Sequence, residues 1–209
     1  MKKYLLIAVA ALAATAFVSC NKDDEVKKEG GESTEYTGAV TLCMNEISGV
    51  KGYKGIEFYN YGNKDIDLKG WVVKKNNEVD GGTDADGLPT YLYWNCEVSI
   101  TVKAKGFFVL HAKDNDANLP EVVEGGRATG GLSPKKALKL ELIDPNGKVV
   151  DTFNRAWDDK ADAPEITVSE VTGSYARTTD HGDNWAVLEP TFGATNAGAT
   201  VVSATIPQE

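Results

Sequence analysis

Residues 40–71 limit the fold of this chain more than any other stretch. Short apolar segments alternate there with turns of glycine, asparagine and aspartate that are too brief for anything but antiparallel neighbours. A first strand over residues 39–47 carries Asn45-Glu46-Ile47. A second, residues 55–60, puts Ile56, Phe58 and Asn60 on one face and Glu57 and Tyr59 on the other. After the polar turn Gly62-Asn63-Lys64-Asp65, residues 66–74 read as a third strand. Gly70 beside Trp71 marks a bulge or a close backbone approach within it.

The same period continues downstream. Residues 91–94, 97–102 and 107–111 read as strands, with Lys105-Gly106 as a tight turn. Residues 137–143 alternate cleanly: Leu138, Leu140 and Leu142 face one way, Lys139 and Glu141 the other. Asp144-Pro145-Asn146-Gly147 has the residues a type I turn favours, so residues 148–153 return as the hairpin partner. Ser174-Tyr175-Ala176-Arg177 follows the last irregular region, and residues 200–206 are an added edge strand within a tail at 197–209. Long polar loops fall at 75–89, 112–133 and 154–172. No stretch has the 3.6-residue period of an amphipathic helix. The expected fold class is an all-β antiparallel sandwich over residues 38–196.

Several spaced motifs share an order. Asn45-Glu46-Ile47 is followed by Ile56-Glu57-Phe58-Tyr59-Asn60 and then by Leu68 and Gly70-Trp71. Gly131-Leu132-Ser133 precedes Leu142-Ile143-Asp144-Pro145-Asn146-Gly147-Lys148-Val149-Val150-Asp151. Ser174, Arg177, Asp180, Trp185, Pro190, Gly193 and Asn196 close the series. This order resembles the lamin tail domain, an immunoglobulin-like β-sandwich found in nuclear lamins and in exported bacterial proteins. The resemblance implies a non-enzymatic tethering or recognition module, and it brings no catalytic residues with it. It also implies structural roles: Trp71 and Trp185 as core aromatics, and Glu46 and Glu57 as partners of Arg177 or of backbone amides.

The N-terminus reads as an export signal. Lys2 and Lys3 precede an apolar run that ends at Phe17-Val18-Ser19-Cys20, and these four residues resemble a bacterial lipobox with Phe17 where leucine is usual. Residues 1–19 are then a lipoprotein signal peptide, Cys20 the lipidated residue, and residues 20–37 a flexible tether. The acidic run Asp23-Asp24-Glu25 resembles a surface-export signal. The expected location is the outer membrane, lipid-anchored and facing the cell surface, with the membrane itself as one partner. A net charge of −9 argues against phosphate-backbone binding, so no nucleic acid is expected. Beyond Cys20, Cys43 and Cys96 form an even pair in an oxidising compartment. They read either as a disulfide or as two buried thiols.

Catalytic patterns are sparse. There is no G-x-S-x-G elbow, and only His111 and His181 could act as an imidazole base. His111 ends an apolar strand and reads as structural, whereas His181 lies in an acidic loop. No two of Cys43, Cys96, His111 and His181 have zinc-ligand spacing. Asp80, Asp84 and Asp86 are weak calcium candidates, with Gly82 where a calcium loop needs aspartate, and Asp114 and Asp116 fall in another loop. No other cofactor is implied, and a carboxylate hydrolase trails well behind as a reading. Tyr91, Tyr93 and Trp94 are a candidate ligand platform, unless alternation turns Leu92 and Trp94 into the core. Two functions therefore stand at this point. One is a lipid-anchored, non-catalytic recognition or tethering module of the bacterial cell envelope, with an unknown protein or polysaccharide ligand. The other is a carbohydrate-binding accessory surface lipoprotein.

Overall fold

The computed structural model describes residues 36–75, 91–114, 116–134, 137–155, 172–204 and 206. Every regular element among them is a β-strand: β1 Leu42–Ser48, β2 Gly55–Asn60, β3 Ile66–Asp67, β4 Val72–Lys75, β5 Tyr91–Asn95, β6 Thr101–Val102, β7 Phe107–His111, β8 Leu138–Ile143, β9 Val149–Arg155, β10 Ser174–Arg177, β11 Trp185–Leu188 and β12 Val201–Ser203. A six-stranded sheet has the order β12-β11-β10-β1-β2-β7, and a four-stranded sheet the order β5-β4-β8-β9. The short β3–β6 ribbon is separate. All strand pairings are antiparallel. The fold is an immunoglobulin-like sandwich.

The core lies where the alternating apolar faces of the two sheets meet. Met44, Ile47, Ile56, Phe58, Leu110, Tyr175 and Val187 come from the six-stranded sheet, and Val73, Trp94, Leu138, Leu140, Leu142 and Phe153 from the four-stranded sheet. Trp71 is fully buried at 0 % exposure, and Phe58, Trp94 and Phe108 form a triangle of rings with centroids 5.9–6.0 Å apart. Trp185 packs against the same cluster, its ring 4.9 Å from Phe153.

The β8–β9 hairpin forms as its turn residues dictate. Asp144 accepts from Asn146 N and Lys148 N through its carboxylate, and Gly147 N donates to its carbonyl. The expected third strand over residues 66–74 is instead two strands in different sheets. Trp71 N donates to Leu68 O at 2.9 Å, closing a turn in which Gly70 has φ +85°. This turn carries the chain from the β3–β6 ribbon into the four-stranded sheet. The expected strand over residues 97–102 shrinks to β6, because residues 96–100 are held as a loop by Gly70 N to Cys96 O and Leu68 N to Ile100 O. β10 and β11 have no counterpart among the strands expected from the sequence, their four residues each being too few to display a period.

Gly70 and Gly147 both occupy the left-handed region, at φ +85° and +81°. A Cβ at Gly70 would lie 3.2 Å from Pro145 Cβ, whereas one at Gly147 would meet nothing within 4 Å. Gly147→Ala is expected to cost the backbone penalty alone, about 1–2 kcal/mol, and Gly70→Ala more than that. Urea unfolding of both variants checks this, and equal losses would mean that the Pro145 contact is soft.

Candidate functional site

β1 carries Asn45 and Glu46 in the middle of its apolar run and ends on Ser48, and all seven of its residues are buried. Its register to β2 shifts between Met44 and Glu46, which makes Asn45 a bulged residue. Met44 and Ile47 still face the core, so Glu46 and its cross-strand partner Glu57 point to the outer face of the sheet. Both are at 0 % exposure there because the chain after β11 folds back over them.

That returning strap is held by side-chain carboxylates. Glu46 accepts from Thr191 N at 3.0 Å, from Thr191 Oγ1 at 2.8 Å and from the Ser174 hydroxyl. Glu57 accepts from Asn45 Nδ2 at 3.0 Å and from Gly193 N. Asp180 accepts from Asn45 Nδ2, Asn196 N and the Thr195 hydroxyl. Asn196 Nδ2 donates to the carbonyls of Asn45 and Arg177 at 3.1 and 2.9 Å. Beside this network Ala176, Ala186 and Leu188 form a second small apolar cluster on which Ala199 packs.

Burial pushes the Glu57 carboxyl up to about 8; the Asn45 hydrogen bond opposes that shift and the neighbouring Glu46 charge adds to it. Burial also raises Glu46, against the hydrogen bonds from Ser174 and Thr191. A carboxyl poised near neutrality is the raw material of acid–base chemistry. Here, however, all four oxygens of Glu46 and Glu57 are occupied by protein donors, so the arrangement holds the strap.

Arg177 does not reach either glutamate. It pairs with Asp151 through Nη2 at 3.0 and 3.1 Å, donates to Met44 O and Gly182 O, and lies 4.7 Å over the Trp185 ring. The alternative expectation for Glu46 and Glu57, backbone amides, matches Thr191 and Gly193.

A second polar group lies at the far end of the four-stranded sheet. Lys75 Nζ donates to Gly131 O, and Arg155 donates to Ser133 O and Pro134 O. Both cations are buried, and Tyr175 Oη also donates to Pro134 O. These contacts fix the Gly131-Leu132-Ser133 turn. Lys75 at the rim of a polar loop gave no sign in the sequence of being buried.

The aromatic platform is not formed. Tyr93 and Trp94 are at 0 and 2 % exposure, and Leu92 is the exposed residue at 50 %. The cause is a register shift: Val73 pairs with Trp94 but Lys74 with Leu92, so Tyr93 is bulged and both rings turn inward. Trp94 Nε1 donates to Gly125 O at 2.7 Å. The Tyr91 side chain lies outside the described residues, as do Cys20, Asp80, Asp84 and Asp86. Among the described residues no group of three or more His, Cys, Asp or Glu side chains is placed to hold a metal. Asp116 is engaged by His111 Nδ1 at 2.8 Å and Arg127 at 2.7 Å.

Cys43 and Cys96 are free thiols rather than a disulfide. Cys96 belongs to the main core, whereas Cys43 alternates with the core residues Leu42 and Met44 and so faces the other side of β1. Cys43 Sγ donates to Tyr59 O and Cys96 Sγ to Val98 O. Burial pushes the two thiols up to about 12 and about 11.

The residues that tie β1, β2 and the strap together are the spaced residues of the sequence motifs, brought to one place. The family model described as Lamin Tail Domain matches residues 33–156. The chain belongs to the lamin tail domain family. The matched span supplies Asn45, Glu46, Glu57 and Asp151, while Ser174, Arg177, Asp180 and Asn196 lie beyond it and complete the same network. Lamin tail domains are immunoglobulin-like, non-catalytic modules. No curated protein matches the chain.

Trp94→Ala is expected to lose about 3–5 kcal/mol of stability in urea unfolding, as a core deletion does; a platform residue would cost little. The Glu57 shift has a definite sign. Its folded-state pKa lies above the unfolded value, so the folded form keeps a proton that the unfolded chain has released. Stability is therefore full below the unfolded carboxyl pKa and falls as pH rises toward about 8. The expected loss over that window is of the order of a few kcal/mol, and Glu57→Gln lessens the slope, leaving the smaller part that the raised Glu46 contributes. Unfolding midpoints measured across that range check both.

Proposed function

We propose that this lamin tail domain is a lipid-anchored, non-catalytic recognition or tethering module of the bacterial cell envelope. The membership of a non-catalytic immunoglobulin-like family supports the second half of that reading. The basic start, the apolar run and the lipobox-like Phe17-Val18-Ser19-Cys20 support the first. The module needs no cofactor for such a role, and its expected location is the outer membrane, facing outward.

One geometric observation carries the reading furthest. The N-terminal segment joins the domain at Tyr36, whose backbone is clasped by Asn146 in the β8–β9 turn: Tyr36 N to Asn146 Oδ1 at 2.7 Å and Asn146 Nδ2 to Tyr36 O at 2.9 Å. The Tyr36 ring also meets Trp71 edge-on at 6.3 Å. β4 and β9 run away from that end and finish at Lys75 and Arg155. A domain tethered at Tyr36 thus offers to partners the opposite end, where β4 and β9 finish. The carbohydrate-binding alternative has lost two of its proposed rings to the core.

The test is acylation and exposure in cells. Wild-type protein should incorporate labelled fatty acid and fractionate with membranes, and Cys20→Ala should do neither. Proteolysis on intact cells reports outward display, and protection until the outer membrane is broken reports a periplasmic face. A wild-type chain that is unacylated and released in soluble form would overturn the anchoring.

A further inference from the structure

The two large sheets have four edge strands, β12, β7, β5 and β9. Three of them are broken by a bulged residue: Val202 in β12, Tyr93 in β5 and Val150 in β9. Bulges on an edge discourage the addition of a further strand. β7 has none and pairs with β2 in unbroken register from Phe107 to His111. Its bonds give the direction of its backbone groups. Asn60 N donates to Gly106 O and Ala112 N to Lys54 O, so Gly106 and Ala112 face β2. His111 faces away, donating to Gly126 O and accepting from Ala128 N. By the alternation of an antiparallel ladder, the N–H and C=O of Phe107 and Val109 face away as well.

Residues 126–128 stop this edge at His111, and the turn closed by Gly106 N and Lys103 O stops it before Phe107. Between the stops, Phe107 and Val109 meet no strand among the described residues. The side chains there are half-buried: Phe107, stacked on Tyr59 at 4.9 Å, and Val109. The two stops differ in charge. At the turn, Lys103 is offset by Asp65, which leaves the exposed Lys105 and Lys64. At the other stop, Arg127 is offset by Asp116, and the exposed Glu121 and Glu124 lead into the 123–126 turn. Lys54, Lys113 and Asp114 lie past His111 and leave that end acidic.

We infer that β7 pairs antiparallel with β7 of a second copy of this chain, about a two-fold axis at Phe108. That register sets Phe107 of each copy opposite Val109 of the other, so their outward N–H and C=O groups satisfy one another. It also brings Lys105 of each copy to the end that carries Glu121 and Glu124 in the other. A parallel pairing would set lysine against lysine. Charge complementarity selects the occupant: copies of a chain with net charge −9 repel one another except where opposite charges meet. The seam is short, so the dimer is reversible rather than obligate. The inference goes beyond the recognition reading above and does not depend on the anchor.

The full chain is prepared in light and heavy isotopic forms, mixed in mild detergent and treated with a carbodiimide, which links a lysine to a carboxylate in contact with it. Linked peptides joining Lys105 to Glu121 or Glu124 are expected, a large share of them with one light and one heavy member. Amide hydrogen exchange at Phe107 and Val109 should slow several-fold as concentration rises, while exchange along β12 stays the same. In sedimentation equilibrium, Lys105→Glu should weaken the association several-fold, and adding Glu121→Lys and Glu124→Lys to the same chain should restore it. A chain that stays monomeric at every concentration, links confined to single-isotope pairs, slowing at β12 instead of β7, or a dimer indifferent to Lys105→Glu overturns the inference.

Discussion

The pairing of Asp151 with Arg177 joins the two sheets at a point where backbone pairing stops. β1 and β10 are in register only at Glu46–Ala176 and Ile47–Tyr175. One step further, β10 ends and the chain turns away, which leaves the outward-facing backbone of Met44 without a strand. Asp151, from β9 of the other sheet, accepts Met44 N at 2.8 Å, and Arg177 Nε donates to Met44 O at 2.8 Å. The ion pair thus occupies the place of a strand residue. Removing one partner would leave both a buried charge and an open backbone pair, the costly way to break such a bridge. The guanidinium also lies over Trp185 and reaches Gly182, so the β10–β11 turn is set by the same group.

The Asn45 bulge has consequences on the other face. It offsets β1 from β2 by one residue and sets Glu46 opposite Glu57, two carboxylates side by side on what would otherwise be a solvated surface. Covering them excludes water, which raises both pKa values. Hydrogen bonds from Ser174, Thr191, Asn45 and Gly193 compensate part of that desolvation. The strap is therefore specified by polar geometry more than by apolar area, since the cluster beneath it is only Ala176, Ala186 and Leu188 with Ala199. A strap on a purely apolar face could slide; one that must supply donors to three carboxylate oxygens cannot.

The legibility of the sequence followed the same division. β2 and β7 stood at their true ends because an isolated alternating run bounded by turn residues has one physical reading. The β8–β9 turn was equally plain, since Asp144, Pro145 and Gly147 each act locally. Failures came where a single residue redirects many. Leu68–Trp71 is hydrophobic enough to continue a strand, but Gly70 in the left-handed region turns it. Tyr93 is bulged by its partner strand, a fact about pairing that β5 alone does not contain, and so the supposed platform faces inward. The polar network showed only as spacings: Asn45-Glu46 interrupts an apolar strand, which signals burial or function without saying which. Lys75 and Arg155 gave less still, because a buried cation satisfied by carbonyls 21 to 56 residues away leaves no local pattern.

The two polar constructions lie on opposite faces of the six-stranded sheet. The Asp151–Arg177 joint sits between the sheets, and the strap covers Glu46 and Glu57 on the outer face, so both use buried groups to fix shape. The periphery is asymmetric: residues 36–41 lie across one end, clasped by Asn146 and bonded to Tyr61, and β4 and β9 finish at the other, at Lys75 and Arg155. Buried polar joints between the sheets resist shear, so the two ends keep a fixed relation to each other.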